Sequence, residues 1–255
     1  MYTGLDPHVY TSGRWLRCDK LERDSRYITF DFDVLCKRII ELCPGAISIT
    51  NYDKKEGGFN RVFIFTTDNG KRVVARLPFA LAGPPRLTTN SEVATITYRE
   101  FKPEKPDRSR SKLLIAMKFI VQANTSIPIS KILDWSDDAS NAIGSEYIIM
   151  EHAAGVELHQ RWPTMAGEKQ VRYIDAICQK VKEMIDIKFP AYGSLYFIDA
   201  PPDSGSKQTL NERFCIGPHC GAVYWNCNVG ESRYYHNTKP NQESCKFSYL
   251  FGRNK

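Results

Sequence analysis

The sequence predicts an α+β protein, with an antiparallel sheet in its first half and helices before and after it. Residues 47–54, 60–67 and 71–77 are alternating or β-branched runs, the pattern of strands half-buried in a sheet. The last two are separated by Asp68-Asn69-Gly70, a strong tight-turn signal, and a turn that short joins antiparallel neighbours. Two other stretches, 32–42 and 171–185, repeat apolar residues at helical spacing.

Taken in order, residues 1–29 carry Arg14, Arg17, Arg23 and Arg26 among the acids Asp6, Asp19, Glu22 and Asp24. A mitochondrial presequence is acid-poor and forms a basic amphipathic helix, and this segment is neither. The helix at 32–42 shows Val34, Leu35, Ile39, Ile40 and Leu42 on its apolar face and stops at Cys43-Pro44-Gly45. The first connection between strands is the glycine turn Glu56-Gly57-Gly58-Phe59-Asn60. Residues 88–98 read as a helix that carries Glu92, with Thr89 or Asn90 as its cap. Tyr147 to Met150 is a continuous apolar strand, and the small residues after Glu151-His152 give the character of a connection between lobes. Val171, Ile174, Ile177, Cys178, Val181, Met184 and Ile185 mark one face of a long helix, expected in the core of a large lobe. Aromatics and glycines at 193–197 and 214–235 suggest hairpins and loops.

At 255 residues and 42% hydrophobic the chain can bury a substantial core in one domain or two lobes. It contains no apolar run long enough to cross a bilayer, so no transmembrane segment is expected. The net charge of +6 is spread along the chain, without the basic stripe interleaved with aromatics of a nucleic-acid binder. Eight cysteines with no secretory leader are expected to be reduced thiols. Cys215, His219, Cys220 and Cys227 form the one cluster. Its spacing departs from the paired two-residue pattern of zinc sites, so a metal-stabilised interaction module competes with a plain loop of buried thiols.

The glycine turn, Arg76 at the end of the third strand and Glu92 on the following helix suggest half of a nucleotide clamp. Two glycines allow close approach of backbone to a phosphate, and unpaired amides at such a turn make an anion-binding concavity. A guanidinium on the neighbouring strand reaches the same phosphates, and a glutamate on a helix packed behind it holds it in place. The bland alternative is a simple hairpin turn, a solvated strand end and an exposed helix residue.

Several motifs in order carry a family resemblance: Glu56-Gly57-Gly58-Phe59-Asn60-Arg61-Val62-Phe63, Val74-Ala75-Arg76-Leu77-Pro78, Ala82-Gly83-Pro84-Pro85, Thr88-Thr89-Asn90-Ser91-Glu92-Val93-Ala94-Thr95 and Glu146-Tyr147-Ile148-Ile149-Met150-Glu151. The chain resembles the fungal branch of the aminoglycoside phosphotransferase-like kinases from about Tyr10 to about Gln242. The resemblance implies a protein-kinase-like fold with an antiparallel-sheet small lobe and an incomplete, mainly helical large lobe. It implies ATP with magnesium as cofactor, a nucleotide as partner, a phosphoryl acceptor left open, and a mitochondrial location with the cytoplasm as alternative. Gly57, Gly58, Phe59 and Asn60 would lie over the phosphates, Arg76 on the α and β groups with Glu92 bracing it, and the backbone of Met150, Glu151, His152 and Ala153 against adenine. Arginine stands at 76 where kinase-like folds usually carry lysine, and the two do not reach phosphate alike.

On this pattern the expected divisions are an N-terminal extension at 1–30, a small lobe at 31–151, a partial large lobe at 152–242 and an aberrant tail at 243–255. Residues 99–122, a basic, proline-broken stretch in its first half, have no counterpart in the family and read as a translated intron or a basic docking loop. Asp134-Trp135 imitates the family's metal-binding pair, but it precedes the hinge strand and is expected to be an exposed turn. None of the five histidines, at 8, 152, 159, 219 and 236, opens a His-Gly-Asp type of catalytic loop. The aspartates that would position an acceptor hydroxyl and hold magnesium are missing with it. The expectation is a C-terminally truncated chain that binds nucleotide and is inactive as given, with a scaffolding pseudokinase and a zinc-stabilised module as alternatives.

Overall fold

The computed structural model describes residues 6–100, 125–187, 189–201 and 207–221, the side chains of 99 and 100 excepted. Residues 101–122 of the expected insertion, the tail at 243–255 and Cys227 lie outside them. The contacts divide the chain into two units, one comprising Met1–Ala94, Ser130–His152 and Gly193–Gln242, the other Thr95–Ile129, Ala153–Tyr192 and Glu243–Lys255. The described residues from Gly193 onward thus group with the sheet rather than with the helices that precede them.

The first unit is built on a five-stranded antiparallel sheet of β1 (Ile49–Glu56), β2 (Asn60–Thr67), β3 (Arg72–Pro78), β4 (Ile132–Ser136) and β5 (Tyr147–Glu151), in the order β1-β2-β3-β5-β4. Side chains alternate across a strand, and β3 follows the rule: Val73, Ala75 and Leu77 are buried while Val74 and Arg76 are half-buried. Phe63, Phe65, Val73, Ala75, Leu77 and Ile149 pack in one cluster with Leu35, Cys36 and Ile39 of helix α2 (Phe32–Leu42). Asp31 caps α2 by accepting from the Val34 N–H at 2.9 Å. Phe63 is the hub of the aromatic packing, with ring centroids 5.5 Å from Phe32 and 5.9 Å from both Phe30 and Phe65.

The last residues of the stretch expected as an N-terminal extension belong to this core. Ile28 and Phe30 are buried in it, and the Asp31 N–H donates to the Ile143 carbonyl at 2.7 Å. Ahead of them, helix α1 (Asp19–Asp24) buries no residue, while Arg26 lies 4.4 Å from the Trp15 ring centroid. Asp134 and Trp135, expected in an exposed turn, stand in the edge strand β4. Arg38 of α2 donates to the Asp134 carboxylate at 2.6 Å and the Tyr147 hydroxyl does so at 3.0 Å. Trp135 stacks on Phe197 at 5.4 Å, so the residues that fix this strand come from distant parts of the chain.

Helix α3 (Leu87–Glu100) follows β3. Thr89 and Asn90, expected to cap it, lie inside it and are buried. A preference for the cap position loses here to half-buried acceptors: Thr89 Oγ1 donates to Glu146 at 2.6 Å and Asn90 Nδ2 to Asp137 at 3.0 Å. The Arg86 N–H, in a left-handed residue at φ 68°, also donates to Glu146, at 2.8 Å. A second sheet in the same unit orders β6 (Ser194–Phe197), β7 (Gln208–Thr209) and β8 (Phe214–Gly217) as β6-β8-β7. The Phe197 N–H donates to Asn90 Oδ1 at 3.1 Å, which ties this sheet to α3.

The second unit holds the short α4 (Leu158–Arg161) and the long α5 (Gly167–Ile185). The expectation of a core helix at 171–185 is not met among the described residues: no residue of α5 is buried, and Val171, Ile174, Ile177, Val181 and Met184 are exposed. The described part of this unit supplies no second apolar layer to cover them. Ser126 is held against the helix, its N–H and hydroxyl donating to Glu183 at 2.6 and 2.8 Å.

Candidate functional site

The β2–β3 register pairs Asn60 with Pro78 and Val62 with Arg76, and β5 pairs Ile148 with Arg76 on the other side. Arg76 therefore points away from the α2 core, onto the face that also carries Asn60. Glu92 sits in the second turn of α3, and its carboxylate accepts from Arg76 Nη1. The two side chains are 27% and 30% exposed, so the pair is neither sealed nor freely solvated. Among the described residues Glu92 is the one hydrogen-bond partner of the Arg76 side chain, leaving the other N–H donors of the guanidinium fork for an anion.

A cavity of about 200 Å³ opens beside this pair, lined by Phe59, Asn60, Arg76, Thr88, Thr89 and Glu92 among others. Phe59 at the turn is exposed. The structure thus brings together four of the residues singled out from sequence: Phe59, Asn60, Arg76 and Glu92. Gly57 and Gly58 belong to the same turn without lining the cavity. Neither glycine has a positive φ. The Gly57 N–H is not left unpaired as expected, since it closes the turn on the Asn60 carbonyl at 2.9 Å. A methyl group at Gly58 would meet nothing within 4 Å, so this position is open to an approaching group.

Met150 and Glu151 are the last residues of β5, paired with Val74 and Val73 of β3. The Glu151 N–H donates to the Lys131 carbonyl at 2.9 Å and the His152 N–H to the Arg72 carbonyl at 3.4 Å. Both amides are in use within the sheet. Ala153 falls in the second unit. None of these four residues lines the cavity.

The base of the glycine turn is a buried charge cluster that sequence reasoning did not find. Glu56 closes β1 and faces Arg61 across the hairpin, and both side chains are fully buried. Arg61 Nε donates to Glu56 Oε1 at 2.8 Å, and the other carboxylate oxygen accepts from the Thr11 N–H at 2.7 Å, Thr11 Oγ1 at 3.2 Å and Ser12 Oγ at 3.1 Å. Burial alone would raise the Glu56 carboxyl, but the Thr11 N–H bond and the Arg61 and Lys54 charges outweigh it and hold it below the usual carboxylate range. Burial pushes the Lys54 ammonium and the Arg61 guanidinium down, partly offset by Glu56. The available signal was only a Glu and an Arg flanking the turn.

Among the described residues no group of three or more His, Cys, Asp or Glu is placed to hold a metal ion. Cys215 Sγ donates to the Phe197 carbonyl at 3.4 Å and Cys220 Sγ to Ser194 Oγ at 3.3 Å, while His219 Nδ1 accepts from the Gly221 N–H at 2.9 Å. These described members of the cysteine cluster thus have partners other than a metal.

No family model matches the chain. A subtelomeric hrmA-associated cluster protein of Aspergillus fumigatus is 32% identical over 185 residues, covering 72% of this chain and 31% of that protein. Altered inheritance of mitochondria protein 9, mitochondrial, from Yarrowia lipolytica is 26% identical over 253 residues, covering 87% of this chain and 40% of that protein. Its namesake from Candida dubliniensis is 25% identical over 255 residues, covering 82% and 37%. The chain is similar in sequence to these fungal proteins. It spans between 31% and 40% of the length of these relatives. A candidate aminoglycoside phosphotransferase of Ralstonia eutropha superposes with a TM-score of 0.28 and 21% identity, covering 50% of this chain and 29% of that one, a score at which no shared fold is inferred.

Proposed function

We propose that this chain is the nucleotide-holding part of a phosphotransferase-like protein of the family, in which the turn at 57–60 and Arg76 take the phosphates of ATP and Glu92 braces Arg76. The observation that carries the reading is the Arg76–Glu92 pair at the side of a cavity that the turn residues Phe59 and Asn60 also line. A guanidinium held by a carboxylate on a packed helix keeps its orientation and its charge, and its free edge matches two phosphate oxygens.

The cavity is smaller than the roughly 300–1,000 Å³ of a full small-molecule site, so it suits the phosphate end of a nucleotide and not the whole of it. The donor set fits that part: one guanidinium and the Asn60 amide, while the Thr88 and Thr89 hydroxyls on the same wall donate to the Pro84 carbonyl and to Glu146. It does not fit magnesium, because its one carboxylate, Glu92, already accepts from Arg76. ATP when bound supplies the phosphoryl group; this chain's residues bind and orient it, and none of them is assigned to the transfer itself. The assignment of Met150, Glu151, His152 and Ala153 to adenine rests on the family resemblance, since two of their amides already donate within the sheet. A mitochondrial location is proposed from the names of the relatives and is checked by fractionation of tagged protein.

Thermal unfolding with the non-hydrolysable analogue AMP-PNP tests the reading. A ligand at 100 times its Kd stabilises the folded state by about 2.7 kcal/mol, which raises the midpoint by several degrees. No shift at millimolar analogue, with or without magnesium, overturns it.

A further inference from the structure

The N-terminal residues 6–12 are docked on the base of the glycine turn by a run of contacts with a common pattern. Lys54 Nζ donates to the carbonyls of Asp6 at 2.7 Å and Val9 at 2.8 Å. Arg61 Nη1 donates to the carbonyls between them, Pro7 at 2.9 Å and His8 at 2.7 Å. Four consecutive carbonyls are therefore gathered by two buried cations. Beyond them Thr11 and Ser12 reach the Glu56 carboxylate, whose other oxygen is held by Arg61.

Glu56 immediately precedes the turn and Arg61 immediately follows it, so the buried pair brackets the turn on both sides. On the α2 face of β2 the side chains run Phe65, Phe63 and then Arg61, and a third apolar side chain there would fill the space. A buried ion pair commonly adds little net stability over apolar groups of similar size. What it adds is geometry: Arg61 Nε and Nη2 both meet Glu56 Oε1, at 2.8 and 2.7 Å, and so set the distance between the two strand ends. A ligand that must be met by a turn binds more tightly when the turn is ordered beforehand.

We propose that residues 6–12 form a strap that orders the glycine turn through Glu56 and Arg61, and that this order sets how tightly the adjoining cavity holds a phosphate chain. Glu56, Arg61, Thr11 and Ser12 are then positioning residues: they touch each other and not the ligand. The effect on affinity rests on the function proposed above; the ordering of the turn does not.

The test compares the full chain with the variants Thr11→Val/Ser12→Ala, which keeps the Thr11 N–H bond but removes both hydroxyl donors, and Glu56→Gln, which keeps the shape and removes the charge. Amide exchange is read at Gly57, whose N–H closes the turn, and at Phe63 and Phe65 as controls in the core. Affinity is read by calorimetry with AMP-PNP and with inorganic tripolyphosphate. The expected result is exchange at Gly57 faster by about tenfold with the core amides unchanged, and a fivefold or larger loss of affinity for both probes. A structural role alone would lower the unfolding midpoint and leave Gly57 exchange and probe affinity at wild-type values, which overturns the proposal. If the wild-type chain binds neither probe, the nucleotide reading and the effect on affinity fail together. Gly57 exchange then decides whether the strap orders the turn.

Discussion

Arg61→Met is the perturbation whose cost follows most directly from the geometry. Arg61 is completely buried and donates to Glu56 at 2.8 Å, to Pro7 and His8 at 2.9 and 2.7 Å and to the Arg26 carbonyl at 3.0 Å. Its guanidinium also lies 5.4 Å from the Phe79 ring centroid. Methionine occupies comparable space but leaves the Glu56 carboxylate buried, with Lys54 at 3.8 Å as its nearest compensating charge. Removing one partner of a buried pair costs about 3–5 kcal/mol. At about 2–4 °C per kcal/mol for a chain of this size, the midpoint falls by about 6–20 °C. The loss is measured by urea unfolding, with amide exchange at Phe63 and Phe65 confining the reading to this unit. The double variant Glu56→Gln/Arg61→Met removes the orphaned charge as well. It is expected to lose less than the sum of the two singles, with a coupling of about 1–3 kcal/mol. A loss below about 1 kcal/mol for Arg61→Met, or strict additivity in the double variant, refutes the reasoning.

Three further outcomes are expected. Phe63→Ala, which empties the centre of the aromatic cluster, destabilises by about 3–5 kcal/mol; a calorimetric loss under about 1 kcal/mol would mean that Phe63 is not the hub. Glu56 is held below the usual carboxylate range, first against its own burial, by the Thr11 N–H and the neighbouring cations. A carboxyl lowered in the folded state contributes stability above its unfolded pKa and loses it as pH falls through the folded value, so Glu56→Gln should flatten the acid limb of the stability profile. Burial raises the Glu146 carboxyl in spite of its bonds to Thr89 and the Arg86 N–H. The sign is reversed there: its contribution is present below the unfolded pKa and is lost as pH rises through the folded one. The midpoint of Glu146→Gln should therefore gain on the wild type as pH rises above the usual carboxylate range, and a constant difference would contradict this.

Much of the central sheet and the Arg76–Glu92 pairing could be read in the sequence, because β2 is rich in β-branched and aromatic residues, β3 alternates and a tight turn joins them. Given that hairpin, Arg76 had to face away from the buried Ala75 and Leu77. Strand β4 was harder to read: Leu133-Asp134-Trp135-Ser136 alternates for only four residues and resembles a metal-binding pair, and Asp134 is secured by Arg38 from 96 positions away. The helix start was misread for a similar reason. Thr89 and Asn90 look like caps until Glu146 and Asp137 are brought against them. The docking of residues 6–9 uses their carbonyls, groups every residue carries, and the Thr11 and Ser12 hydroxyls that reach Glu56 are of a kind common in any surface segment. For α5 the amphipathic period correctly gave the helix but not what its apolar face meets.

Calorimetric titration of AMP-PNP into Arg76→Ala, beside the wild type, bears most directly on the nucleotide site. The pair with Glu92 is partly exposed, so the variant should stay folded, with a stability cost of no more than about 1 kcal/mol. Charge-assisted hydrogen bonds to phosphate are worth about 1.5–3 kcal/mol, and their loss should weaken binding by about 10–100-fold. A folded Arg76→Ala protein that binds the analogue as tightly as the wild type would contradict the assignment of this cavity to the phosphates.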